Sequence, residues 1–175
     1  MPGSPAHLVR RFFGVAVARP LSRSERAAVD GWLGPETNTV FFAQGDADQR
    51  HGYQAALTVV AAGVDDRDVI AAALLHDIGK RHARLGILGR TLASLMILLR
   101  MPLGERMAAY RDHGLLGARE LVRLGGPPLA IDFAMHHHGP RPPSIPSEIW
   151  DLLERADQPP KATSTLVSRI TSNGR

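Results

Sequence analysis

Val69-Ile70-Ala71-Ala72-Ala73-Leu74-Leu75-His76-Asp77-Ile78-Gly79-Lys80 is the stretch on which the reading of this chain turns. Seven apolar residues in a row, with no polar side chain among them, read as a buried helix. Such a helix does not end in His76-Asp77 without a reason. A carboxylate taken out of water costs several kcal/mol unless it is paired or coordinates a metal. Gly79 is read as the chain reversal, and Lys80 as a positive charge at the mouth of whatever His76 and Asp77 line. A lone His-Asp pair is common at surfaces and caps, so its meaning depends on the rest of the chain.

The 175 residues suit a single domain with a sizeable core. Hydrophobic content of 44% and charged content of 22% are those of an ordinary globular protein. The absence of cysteine excludes disulfides, thiolate zinc sites, iron–sulfur clusters and thiol nucleophiles. Any metal must be held by His and carboxylate. The net charge of +4 comes mostly from arginines spread along the chain, Lys80 and Lys161 being the two lysines. Charge this diffuse attracts anionic substrates. Only a clustered basic face would support a nucleic acid, and the order of residues shows none, so nucleic acid is not an expected partner. The N-terminus lacks the apolar core and cleavage site of a signal peptide. The longest apolar run, Leu92 to Leu99, is eight residues, against the roughly 20 of a membrane span. It is expected to be a core helix, with Met96 and Met101 also buried. The expected location is cytoplasmic, with no membrane partner.

Outward from the central stretch, every apolar segment has helical spacing and is bounded by caps or prolines. Helices are predicted over residues 7–18, from Ser22 or Ser24 to Leu33, and over 37–44. A longer one follows Asp46, where Gln49 three residues on suggests a capping box, and runs to Ala62. Asp65-Asp66 caps the His-Asp helix. Residues 81–89 read as a basic loop. Further helices are predicted over 91–100 and 105–110, from an opening at Arg111-Asp112-His113-Gly114 to Leu124, from Pro127-Pro128 into His136-His137-His138, and over 147–157. Residues 161–175 form a short tail. No segment shows strand alternation, so the fold class is all-α.

Polar residues placed oddly on these helices fall at or near their ends: His51, His76, Asp77, His113, the triplet His136 to His138, and Asp157. If those ends converge, they make a nitrogen-and-oxygen site suited to iron, manganese, zinc, cobalt or nickel. A central Asp can bridge two ions, and a pair about 3.5–4 Å apart activates water and holds a phosphoryl oxygen. Around them, Arg81 and His82 are either phosphate ligands or a solvated turn, Arg111 and Asp112 a helix cap or site residues, and Asp48 and Arg50 are read as surface residues, the alternative being that they orient His51.

The order His51 … His76-Asp77 … Asp157, on helices, resembles the HD-domain superfamily of metal-dependent phosphohydrolases. The likeness spans residues 46–160. It includes Leu74-Leu75-His76-Asp77-Ile78-Gly79-Lys80, His113-Gly114-Leu115-Leu116-Gly117-Ala118 and Ala156-Asp157. It implies a single-domain HD-like helical bundle: residues 1–44 a helical lead-in packed on the core, 45–160 the metal-binding domain, 161–175 the tail. It implies that His51, His76, Asp77 and Asp157 hold a first metal, and that His113 and members of the triplet add a second, bridged by Asp77. The doublet is His136-His137 or His137-His138; His137 belongs to both, and His136 and His137 are assigned as ligands. The cofactor expected is one or two divalent transition-metal ions. Asp77 and Lys80 are the expected catalytic residues. The implied activity is hydrolysis of a phosphate ester or anhydride, in a nucleotide or related small molecule, by a metal-bound hydroxide. A di-iron oxygenase and a non-catalytic nucleotide-binding regulator use the same ligand set and stand as alternatives. The chain departs from the cyclic-di-GMP phosphodiesterase branch: where that branch has Gly-Tyr-Pro, this chain has Gly139-Pro140-Arg141-Pro142-Pro143.

Overall fold

The computed structural model describes residues 19–158. Among them are nine α-helices, one short 3₁₀ helix and no strand, so the chain is all-α. The helix predicted over 7–18 and the tail 161–175 lie outside the described residues. No described helix is long and apolar enough to cross a membrane.

Helix α1 (Arg23–Trp32) begins in a capping box: Glu25 N–H donates to the Ser22 hydroxyl and Ser22 N–H to the Glu25 carboxylate. Helix α2 (Pro35–Phe42) leads into α3 (Asp46–Ala61). The expected second capping box is absent. Gly45 is the N-cap and Asp46 already lies in the first turn, while the Gln49 amide donates to the carbonyls of Phe42 and Gln44. Gly63, at φ +82°, follows the helix in the left-handed conformation.

Helix α4 (Arg67–Leu75) is the axis of the fold. Asp66 caps it, accepting from Asp68 and Val69 N–H. All of Val69, Ile70, Ala71, Ala72, Ala73, Leu74 and Leu75 are buried. Burying its four large side chains contributes on the order of 6–12 kcal/mol of gross transfer energy. It packs against α3 on one side and α8 (Pro128–His136) on another; α9 (Ser147–Asp157) crosses both α3 and α4. Leu21, Val29, Leu33, Val40 and Phe41 share the same core.

The chain does not loop freely after Asp77. It forms a 3₁₀ helix, Ile78–Ala83, packed on α7 (His113–Arg123). Gly79 is not in the left-handed region. Its small size is what matters: a Cβ there would sit 1.9 Å from the His113 carbonyl oxygen and 2.6 Å from Gly117 N. Gly52 does the same between α3 and α4, where a Cβ would meet the Leu74 carbonyl at 2.7 Å.

Helix α5 (Ile87–Leu98) starts earlier than predicted and is not a core helix. Ala93 is its one fully buried residue, packed in a small cluster with Ala83 and with Tyr110 of α6 (Glu105–Arg111). Met96 is half-buried and Met101 exposed. The helix is apolar nearly all round, so its spacing did not show that only one side is covered.

Candidate metal centre

Four helix ends and one turn of a fifth helix deliver the site. His76 is the C-cap of α4 and Asp77 follows it. His113 is the first residue of α7, His137 the C-cap of α8, and Asp157 the last residue of α9. His51 lies in the second turn of α3. Their donor atoms form two groups: His51, His76, Asp77 and Asp157; and Asp77, His113, His137 and His138. Within each group all ligand atoms lie within 4.8 Å of one another, and Asp77 belongs to both.

The backbone fixes the tautomers. Nδ1–H of His76 donates to the Ala73 carbonyl at 2.9 Å, that of His113 to Tyr110 at 2.7 Å, and that of His137 to Ala134 at 2.9 Å. Each bond spans three residues at a helix end, and a carbonyl can only accept. In a neutral ring Nε2 is therefore left as a lone pair pointing into the site. His113 Nε2 lies 3.3 Å from His137 Nε2 and 3.1 Å from His138 Nε2. The His113 and His137 nitrogens, both unprotonated, repel at this distance unless a cation lies between them, whereas His138 Nε2 can donate to His113. Asp77 Oδ1 is buried without a hydrogen-bond partner, although His113 Nε2 and His137 Nε2 approach it to 3.1 and 3.6 Å. In the other group, His51 and His76 aim Nε2 at the same oxygen, Asp157 Oδ1, at 2.9 and 3.0 Å. Asp77 Oδ2 lies 3.7 and 3.3 Å from those nitrogens.

The electrostatics agree with this donor chemistry. Burial pushes the Asp77 carboxyl up, but the charges of Lys80 and His76 outweigh it and hold the group well below the usual range. Asp157 is held low in the same way: burial opposes, His76 and the bonds from His51 and His76 prevail. Burial lowers His113 despite the nearby Asp77. His138 is lowered to about 3 by burial and by His137 and His113. His76 is lowered by burial but raised further by Asp77 and Asp157, to about 10. Ionised carboxylates and neutral imidazoles are the forms that bind metal, so His76 would give up its proton to a cation held there. The orphaned oxygen, the facing lone pairs and the all-N,O donor set fit a divalent transition metal.

His76, Asp77, His113 and His137 are buried, so they form the floor, whereas His51 and Asp157 are about a third exposed and line the open side. Two expectations are corrected here. His136 belongs to neither group. It is the last residue of α8, about 100° round the axis from His137, and it is His138, after the helix has ended, that joins the cluster. Lys80 is not at the mouth. It is 5% exposed, and its ammonium donates to Asp77 Oδ2 across the 3₁₀ turn.

The basic residues expected at the rim are tied up. Arg81 and His82 both pair with Glu120 of α7, Arg111 pairs with its neighbour Asp112, and Arg50 donates to Glu25 and to the carbonyls of Arg19 and Pro20. Asp48, read as a surface residue, is buried and holds the Arg90 guanidinium at 2.6 and 2.7 Å. That bidentate pair joins α3, one turn before His51, to the start of α5. Nothing in the sequence signals a partnership across 42 residues.

The profile of the HD domain matches residues 50–170 of the chain. No curated protein and no solved structure matches it.

Proposed function

Because the chain belongs to the HD domain family, which includes metal-dependent phosphohydrolases, we propose that it hydrolyses a phosphate ester or anhydride of a nucleotide or related small molecule. The observation that carries this reading is Asp77, a buried carboxylate common to two His-rich donor groups. His51, His76, Asp77 and Asp157 would hold one ion; Asp77, His113, His137 and His138 would hold the second. A divalent metal bound there supplies Lewis-acid chemistry, lowering the pKa of a water toward ~7 and polarising a phosphoryl oxygen.

The chain's own residues do the rest. The carbonyls of Ala73, Tyr110 and Ala134 keep three imidazoles turned with Nε2 inward. Ile78, Phe133 and Ala134 are buried with the floor and keep solvent to the side where His51 and Asp157 are exposed. Lys80 balances Asp77 and offsets charge on the phosphoryl group. The diffuse positive charge of the chain favours an anionic substrate. The same reading assigns residues 45–160 to the metal-binding unit, 1–44 to its lead-in and 161–175 to a tail, in a cytoplasmic enzyme.

The test is a metal-stripped protein reloaded in turn with manganese, iron, cobalt, nickel or zinc and offered nucleoside monophosphates, polyphosphates and phosphodiesters. Release of phosphate or nucleotide that needs the metal is expected, with Lys80→Met retaining metal but losing turnover. Oxygen consumption by the ferrous protein without phosphate release would point to an oxygenase. Nucleotide binding without turnover would point to a regulator.

A further inference from the structure

Helix α5 carries an apolar face that the described fold leaves uncovered. Leu88, Leu92, Leu95 and Leu99 are 77, 49, 44 and 59% exposed, with Leu98 and Met101 beside them at 46 and 48%. Six such side chains together expose on the order of several hundred Å², at the upper end of what a soluble monomer presents. That is a substantial part of the roughly 800 Å² each partner buries in a stable pair.

The arrangement of the leucines says what covers them. Their spacing is four, three, four, the seam of a two-helix coil. It is also palindromic. With α5 laid antiparallel on a copy of itself about a two-fold axis between Ala93 and Ser94, Leu88 meets Leu99 of the second copy and Leu92 meets Leu95. An isologous interface demands this reciprocity. From Ile87 to Leu99 the one charged residue is Arg90, and it is turned inward onto Asp48. The face therefore offers no charge to a partner of opposite sign, and none to repel its own copy. A parallel pair would set Arg100 against Arg100, whereas the antiparallel one separates them and opposes the helix dipoles.

We propose that the chain is a two-fold homodimer held by α5 laid antiparallel on α5 of a second copy. This does not depend on the hydrolase reading. The inner side of α5 packs toward both donor groups: Arg90 holds Asp48, one turn before His51, and Ala93 lies in one cluster with Tyr110, whose carbonyl accepts from His113. The pairing would thus sit behind the metal centre and brace it.

Sedimentation equilibrium of the full chain should show a dimer. The variant Leu92→Glu/Leu95→Glu should raise the dissociation constant by about 100-fold or more, with unchanged helicity. The natural chain has no cysteine, so cross-linking reads the register directly. A mixture of Leu92→Cys and Leu95→Cys chains should cross-link on mild oxidation faster than either alone. Faster cross-linking by Leu92→Cys alone would mean a parallel pair and overturn the arrangement. A dimer untouched by the double glutamate variant would place the interface elsewhere. A monomeric native chain would overturn the proposal outright. In that case a lower thermal midpoint for the glutamate variant would assign the face to another segment of the same chain. Flotation with phospholipid vesicles, lost in that variant, would assign it to a lipid surface.

Discussion

Adding one methyl group at Gly79 should damage both the fold and the metal centre. The Cβ of Gly79→Ala would lie 1.9 Å from the His113 carbonyl oxygen and 2.6 Å from Gly117 N, where ordinary contact begins at 3.4 Å. Both obstacles are backbone, in a helix buried on that side, so no side chain can swing away. The 3₁₀ helix and α7 must separate by at least about 1.5 Å. Overpacking usually costs 1–3 kcal/mol, and a rigid backbone obstacle puts this variant near about 3 kcal/mol or above. For a chain of this size that is a fall in thermal midpoint of roughly 6–12 °C. The separation also moves Asp77 away from His113, so the second donor group should lose affinity more than the first. Thermal unfolding followed by circular dichroism, together with metal titration by calorimetry, reads both effects. Gly117→Ala, whose Cβ would be 3.1 Å from Gly79 N, should be milder. A Gly79→Ala protein that melts within 1–2 °C of wild type and binds metal unchanged would refute the close-packing argument.

Two other perturbations test the buried and exposed ion pairs. Arg90→Leu leaves the Asp48 carboxylate buried without its partner and should cost about 3–5 kcal/mol in urea unfolding, part of it recovered in Asp48→Asn/Arg90→Leu; a loss below about 1 kcal/mol would mean the pair is not holding α5. Glu25, hydrogen-bonded to Arg50 and to Ser22 N–H, has its pKa lowered from 4.5 to about 2. A depressed carboxylate stabilises the fold above its unfolded value and ceases to as pH falls through its folded value. The midpoint difference between wild type and Glu25→Gln should therefore be full above pH 4.5 and vanish toward pH 2, and a pH-independent difference would contradict the linkage.

The sequence made the helices and most donors readable because each obeys a local rule. Asp66 caps, Pro128 opens, Gly63 closes, and His76-Asp77 stands at the end of a run with no other polar atom. What stayed hidden depends on relations the chain order does not carry. His136 and His138 are chemically identical in the sequence, and only the residue at which α8 ends decides which one turns into the site. Lys80 looked like a rim residue because nothing in the sequence shows that the following turn is 3₁₀, a geometry that folds the ammonium back onto Asp77. Gly79 read as a bend, whereas its reason is the backbone of α7, more than thirty residues away. The apolar run of α5 read as core because periodicity reports that a helix is apolar, not which of its sides is covered.

Counting bound ions in three variants tests the central claim most directly. Wild type, Asp77→Asn and His113→Ala, checked for equal helicity, are titrated with manganese or zinc and analysed for metal content after equilibrium dialysis. If Asp77 joins two metal sites, wild type binds two ions per chain, His113→Ala keeps one, and Asp77→Asn loses affinity for both. Wild type that saturates at one ion with His113→Ala unchanged, or Asp77→Asn that still holds two, would contradict it.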